Sequence, residues 1–353
     1  MPAGYRARAG LSRALASGLL LASAACSGGA GTAPQAAGPV SPAAARGTAG
    51  SGAATASPAQ VVPPASVHAD ELGAVPVLMY HQLEAHPQGV YDQTAQQFRT
   101  ELTALYAHGY RTVTAAALVA GAVDVPAGRH PMVLTFDDAT VSQFGELPDG
   151  SVDPASGVGI LQQVAAAAGD QHPVATFYVN GAPFAGKDAY LATLHGLGME
   201  VAEHTLTHSN LRQLSDPGVQ FELAQGLQVI TRAVPGVQVT TMALPFGVRP
   251  KNHLLAARGR AGGTSYDFAG VFAVGSNPAP SPYNTRFDPT YVPRIRSGLR
   301  TGDQTFTSTY WLPRLFSGAV TAFTSDGDPS RISFPKAESA RLAPRFASRA
   351  QPY

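Results

Sequence analysis

The run Met132-Val133-Leu134-Thr135-Phe136 is short, apolar and closed by two adjacent carboxylates, Asp137 and Asp138. A run of this length and character reads as a buried strand. Two like charges at the edge of an apolar core are unfavourable unless a cation, a proton or hydrogen bonds neutralise them. A fold that keeps the pair must supply such a partner. In α/β folds the C-terminal ends of strands are also where ligand sites form. Taken alone, the pair is equally compatible with a solvated turn or a helix cap.

The rest of the chain says which kind of fold surrounds it. Val75 to Tyr80 reads as a strand ending at His81, and Gln96 to His108 as a helix with Phe98, Leu102 and Leu105 on one face. Further strands are expected over 111–114, 174–179, 199–202, 240–244, 268–274 and 291–295. Helices are expected over 115–120, 160–168, 190–197, 217–233, 254–259 and 310–316. Residues 139–158 read as a loop. Strands alternating with helices predict an α/β fold with a parallel sheet or barrel. Tyr310 and Trp311 read as packing residues beside Leu312, Leu315 and Phe316.

The chain has 353 residues, 44% hydrophobic and 13% charged, with a formal net charge of +1. That is enough apolar material for a sizeable core, and no basic block remains to grip nucleic acid. The single cysteine, Cys26, excludes an internal disulfide framework. It follows a leader with Arg6, Arg8 and Arg13 and an apolar stretch from Ala14 to Ala25, too short to span a bilayer and laid out like a signal peptide. Ser23-Ala24-Ala25-Cys26 resembles a bacterial lipobox, with Ser23 where that motif usually has Leu. The expected organisation is a lipoprotein-type signal peptide over 1–25 and an Ala/Gly/Pro-rich tether over 26–73. A folded domain over 74–325 and a polar tail over 326–353 follow. Such a chain would be lipid-anchored through Cys26 on the outer side of a bacterial membrane, or secreted.

His204-Thr205-Leu206-Thr207-His208 follows the strand at 199–202. Two histidines at this spacing share a helix face or bracket a loop, and the threonines with the preceding strand favour a loop. Two imidazoles and a carboxylate form a three-ligand set for a divalent metal with open positions, suited to zinc and also to cobalt, nickel or iron. Pro245-Phe246-Gly247 ends the strand at 240–244 and reads equally as a plain turn.

In this order, Thr135-Phe136-Asp137-Asp138, His204-Thr205-Leu206-Thr207-His208 and Pro245-Phe246-Gly247 resemble the motifs of polysaccharide deacetylases with the NodB-type domain, carbohydrate esterase family 4. Pro76-Val77-Leu78-Met79-Tyr80-His81 resembles the branch acting on poly-N-acetylglucosamine of biofilm matrix. The likeness runs from about Val75 to Ile295. It implies a single distorted (β/α) barrel of about seven repeats. It also implies a metal held by Asp138, His204 and His208, with Asp137 as the base that deprotonates a metal-bound water. The backbone N–H of Phe246, placed by Pro245, would stabilise the oxyanion, and His81 would be the general acid. Where the broader family carries an arginine beside its base, this chain has Ala243, and Arg294 is the candidate replacement. No late Leu-x-His motif is present. The implied reaction is removal of N-acetyl groups from an extracellular N-acetylglucosamine polymer. Peptidoglycan, chitin-type and O-acetylated glycans are alternative substrates. A silent glycan- or metal-binding lipoprotein on the same scaffold is the alternative from another class.

Overall fold

Among the described residues, eight strands join in one sheet, and every pairing within it is parallel. They are β1 (Val77–Tyr80), β2 (Tyr110–Val113), β3 (His130–Asp137), β4 (Thr176–Val179), β5 (Glu200–Glu203), β6 (Thr241–Ala243), β7 (Gly270–Phe272) and β8 (Ile295–Arg296). The helices between and after them are α1 (Ala95–Ala107), α2 (Ala115–Ala120), α3 (Gly157–Ala167), α4 (Ala189–Gly196), α5 (Asp216–Ala233) and α6 (Ser308–Phe316). This computed structural model describes residues 62–298 and 304–353, which lie in one compact unit. The leader, Cys26 and the tether up to residue 61 lie outside the described residues.

The strand order is β7-β6-β5-β4-β3-β1-β8, with β2 paired to the first half of β3. The segment before β8 bridges the two ends of this path. Val292 exchanges backbone hydrogen bonds with Val271 and Ala273, while Ile295 and Arg296 pair with Leu78 and Met79. The seven-stranded ring so formed is the distorted (β/α) barrel expected from the sequence. Pro293 has no N–H to give, so the strand expected over 291–295 breaks into a single bridge at Val292 and a two-residue strand.

β3 is buried almost throughout because both faces are covered. Outward, Phe136 stacks on Phe177 and packs against Tyr80 and Phe98. The helices that make this cover start on side-chain caps. Thr94 makes a full capping box with Gln97, and Ser156 and Ser215 accept the N–H groups of Gly159 and Gly218.

Three expectations need correction. Residues 254–259 are not a helix. A short 3-10 turn at His253–Ala256 leads into a hairpin, Arg258–Ala261 against Thr264–Asp267. Gly262 and Gly263, both with positive φ (56° and 83°), make its two-residue turn. The tether does not run to residue 73, because Ala69 and Leu72 are fully buried. Nor is 326–353 a peripheral tail. Ile332–Phe334 pairs with Ala350–Pro352, and Ile332 and Phe334 are core residues. In these stretches a few apolar anchors in polar surroundings are too sparse to show a period.

Candidate active site

The C-terminal ends of β1, β3, β5 and β6 converge on one end of the barrel, and each delivers an expected site residue. β3 ends on Asp137, and the chain turns sharply at Asp138 and Ala139, which have φ of 73° and 47°. The turn sends the two carboxylates different ways. Asp137 points into the barrel and is 2% exposed, while Asp138 faces the rim and is 31% exposed. Gln143 ties this end to β1, its amide donating to the carbonyls of Asp137 at 2.6 Å and His81 at 2.9 Å.

His204 and His208 come from the loop after β5, which is a loop rather than a helix face. Their Nε2 atoms each lie 3.6 Å from Asp138 Oδ1, and one ligand atom from each of the three residues falls within 4.8 Å of the others. His204 Nδ1 sits 2.8 Å from the carbonyl of Ala243. Nδ1 therefore carries the proton, and the bare lone pair of Nε2 is turned into the site. That Nε2 is buried and has no hydrogen-bond partner. Burial also lowers the pKa of His204, against the opposing pull of Asp137 and Asp138, which keeps the ring neutral as a ligand must be. A buried unpartnered imidazole nitrogen facing a carboxylate and a second imidazole fits a divalent metal ion. The exposed side of the set, at Asp138 and His208, leaves room for substrate.

Arg294 lies fully buried against Asp137. Its Nη1 and Nη2 donate to Oδ1 at 2.6 Å and Oδ2 at 2.8 Å, in a fork-on-carboxylate pairing. Nε donates to the Ala273 carbonyl at 2.6 Å, Nη1 also to Thr135 Oγ1 at 3.0 Å, and the guanidinium lies over the Tyr178 ring. Burial alone would raise the pKa of Asp137. Arg294, with smaller help from His204 and His81, outweighs it and holds the carboxyl well below the usual range. The cation beside Asp137 therefore comes from residue 294. At position 243 the chain uses only the backbone carbonyl, to orient His204.

His81 Nε2 is 3.9 Å from Asp137 Oδ2, and its ring packs against Tyr91. Burial lowers its pKa, and Asp137 and Asp138 oppose that shift. Pro245 is buried after β6, and Phe246 takes a left-handed φ of 58°. This turn sets the Phe246 ring edge-on to His208 at 4.8 Å.

Three supporting residues are not apparent from sequence. Gln143 sits in the stretch read as a loop, yet is fully buried. Glu203 and Glu222 hold the histidine loop. A carboxylate closing the apolar strand directly before His204 was a visible signal for Glu203. Nothing in the spacing points to Glu222, on α5.

Residues 124–262 match the family model described as polysaccharide deacetylase. The fold is similar to that of a polysaccharide deacetylase from Bacillus cereus, at 20% identity over 67% of this chain and 69% of that one, with a TM-score of 0.50. Two further similar structures are the Streptococcus pyogenes deacetylase PplD in complex with acetate and IcaB from Ammonifex degensii. The first is 16% identical over 66% of this chain and 96% of that one, with a TM-score of 0.49. The second is 19% identical over 70% and 97%, with a TM-score of 0.45.

Proposed function

We propose that this enzyme, whose chain carries a polysaccharide deacetylase domain of the NodB type, removes N-acetyl groups from an extracellular N-acetylglucosamine-containing polysaccharide. One observation carries the chemistry: Asp138, His204 and His208 converge beside a second, arginine-clamped carboxylate, Asp137. A merely solvated acidic turn has no use for a buried guanidinium on one carboxylate and two histidines on the other. The Met79-Tyr80-His81 strand end supports the poly-N-acetylglucosamine branch as substrate class. The leader ending in Cys26 supports placement outside the membrane, on a lipid anchor.

Asp138, His204 and His208 would hold a divalent metal ion, zinc before cobalt, nickel or iron by this donor set. Such an ion, when bound, polarises an acetyl carbonyl and acidifies a water molecule. Asp137 then accepts a proton from the attacking water at Oδ2. Arg294 keeps this carboxylate ionised and fixed in orientation, at the expense of some basicity. The tetrahedral oxyanion would be stabilised by the backbone N–H of Phe246. His81 would deliver a proton from Nε2 to the departing amine, which requires the ring protonated against the effect of its burial, and Asp137, 3.9 Å away, can return the proton it took from water to that nitrogen. Water loses one proton and the amine gains one, so the two residues balance, and acetate and a free glucosamine unit leave.

Purified protein tests the reading directly. Acetate release from N-acetylglucosamine oligomers should stop on chelation and return when Zn2+ is restored. If metal binds and no acetylated glycan is turned over, a glycan- or metal-binding module is the better description. Release from peptidoglycan, chitin-type or O-acetylated substrates alone would move the substrate assignment and leave the chemistry standing. Membrane fractionation of a Cys26→Ser variant tests the anchor, which should be lost.

A further inference from the structure

Each of the three residues between His204 and His208 has its backbone N–H taken. Thr205 donates to Glu203 Oε2 at 2.9 Å. Leu206 donates to the backbone carbonyl of Glu222 at 3.2 Å, and its own carbonyl accepts the Gly181 N–H at 2.8 Å. Thr207 gives both its N–H and its hydroxyl to the Glu222 carboxylate, each at 2.8 Å. Helix α5 thus grips the loop through one residue. Glu222 is only 7% exposed and lies beside Val219 and Leu223 on the buried face of α5, where an apolar side chain would ordinarily sit. Two glycines make the close approach possible. A Cβ on Gly226, one turn along α5, would collide with Glu203 Oε1, and one on Gly181 would collide with the Leu206 carbonyl. The gripped backbone is not relaxed. Thr205 and His208 hold φ of 66° and 54°, and a left-handed β-branched residue persists only where its surroundings impose it.

We infer that Glu222 is a positioning residue for the metal ligands. Its carboxylate, backed by Glu203, presets the loop so that the Nε2 atoms of His204 and His208 already face Asp138 before an ion arrives. The inference rests on the metal reading above. A loop free to relax would have to be ordered by the ion itself, and that ordering would come out of the affinity.

Two variants of the full protein separate this role from simple packing. Glu222→Gln keeps an oxygen for the Thr207 N–H, whereas Glu222→Leu removes both acceptors. Zn2+ is titrated in competition with a chromophoric chelator, and the melting temperature of the metal-free protein is measured alongside. Glu222→Leu should bind Zn2+ about 10- to 100-fold more weakly than wild type, with Glu222→Gln restoring most of the loss. Equal affinity in Glu222→Leu and wild type, whatever the melting temperatures, overturns the inference and leaves the metal reading intact. If Glu222→Leu does not fold, Thr207→Val removes only the hydroxyl contact. It should weaken Zn2+ in the same direction, and unchanged affinity there counts equally against the idea. A wild-type protein that takes up no Zn2+, Co2+, Ni2+ or Fe2+ removes the metal reading itself, and this inference with it.

Discussion

Among the described residues, two buried clusters of ionisable side chains differ in how completely their atoms are used. The first is the seam where the segment before β1 meets the C-terminal segment. There Glu71 Oε2 accepts the Ser333 N–H at 2.8 Å, and Oε1 accepts from Ser325 and Asp326. Asp326 accepts from Asp328 at one oxygen and from Arg331 and Ser333 at the other. One left-handed turn at the seam falls on a glycine, Gly327, and another on His68. The second cluster, at the barrel's open end, is left incomplete. Asp137 and Arg294 satisfy each other, but His204 Nε2 and His81 Nδ1 have no partner. Left-handed turns here fall on Asp138, Ala139, Thr205, His208 and Phe246 as well as on Gly247. Unused polar atoms and imposed backbone both cost stability, whereas at the seam every carboxyl oxygen of Glu71 and Asp326 has a donor. The difference sets the open end apart as the place where unpartnered imidazole nitrogens and imposed backbone coincide.

The contrast can be broken by substitutions that should hit activity at one cluster and stability at the other. The largest effect belongs to Asp137→Asn, which should lower kcat about 10²- to 10⁴-fold while Zn2+ uptake persists. Wild-type turnover in that variant would remove Asp137 as base. Arg294→Met leaves a buried carboxylate without its cation, which typically costs about 3–5 kcal/mol. Urea unfolding should show a loss of that order, with turnover also reduced and metal content kept. An unchanged unfolding midpoint together with full activity would mean that the ion pair does neither job. His81→Gln is a smaller change, about 10²-fold in kcat at the low end for general acid catalysis, with little change in stability. If KM rises and kcat does not, His81 binds substrate instead of donating a proton.

Much of this architecture was legible in the sequence, and the reason differs from part to part. The β3 run, the capped helix α1 and the histidine loop announce themselves by local pattern, because burial on both faces of a strand or one face of a helix imposes a period. The convergence of Asp138, His204 and His208 was legible only through motif resemblance. A contact between residues 66 and more positions apart leaves no periodic trace. Arg294 could be suggested because the chain lacks an arginine at 243 and carries one after a late apolar segment. Glu222 was hidden for the opposite reason. It replaces one apolar residue on an amphipathic helix, and its partners are a backbone N–H that any sequence would supply and a threonine hydroxyl 15 positions earlier. The hairpin at 258–267 was not legible because its two strands are mostly exposed or half-buried and carry no apolar alternation, while the apolar residues just before them suggest a helix. The seam escaped because its apolar anchors are single residues far apart along the chain.

The smallest predicted effect lies at the seam and concerns stability alone. Burial pushes the carboxyl of Glu71 up, the Ser333 N–H pulls it part of the way down, and Asp326 adds to the rise; the result is a pKa of about 8 against an ordinary 4.5. The folded protein therefore keeps this proton to about pH 8, whereas the unfolded chain releases it near pH 4.5. Between those two values the unfolded state binds fewer protons, so stability from this group is full below pH 4.5 and declines as the pH rises towards 8. Glu71→Gln removes the titration but keeps an oxygen for Ser333. Its amide nitrogen would face the Asp326 N–H, so the variant should start less stable than wild type at the acid end. The gap should narrow or reverse near the alkaline end, because only wild type loses stability on the way. Urea unfolding at both ends of that window reads the difference, and parallel curves would show that Glu71 is ionised in the fold throughout. Acetate release per folded molecule should stay at the wild-type level. A drop there would mean that the seam and the open end of the barrel are coupled, and that the contrast between a closed cluster and an open one is not a division between structure and function.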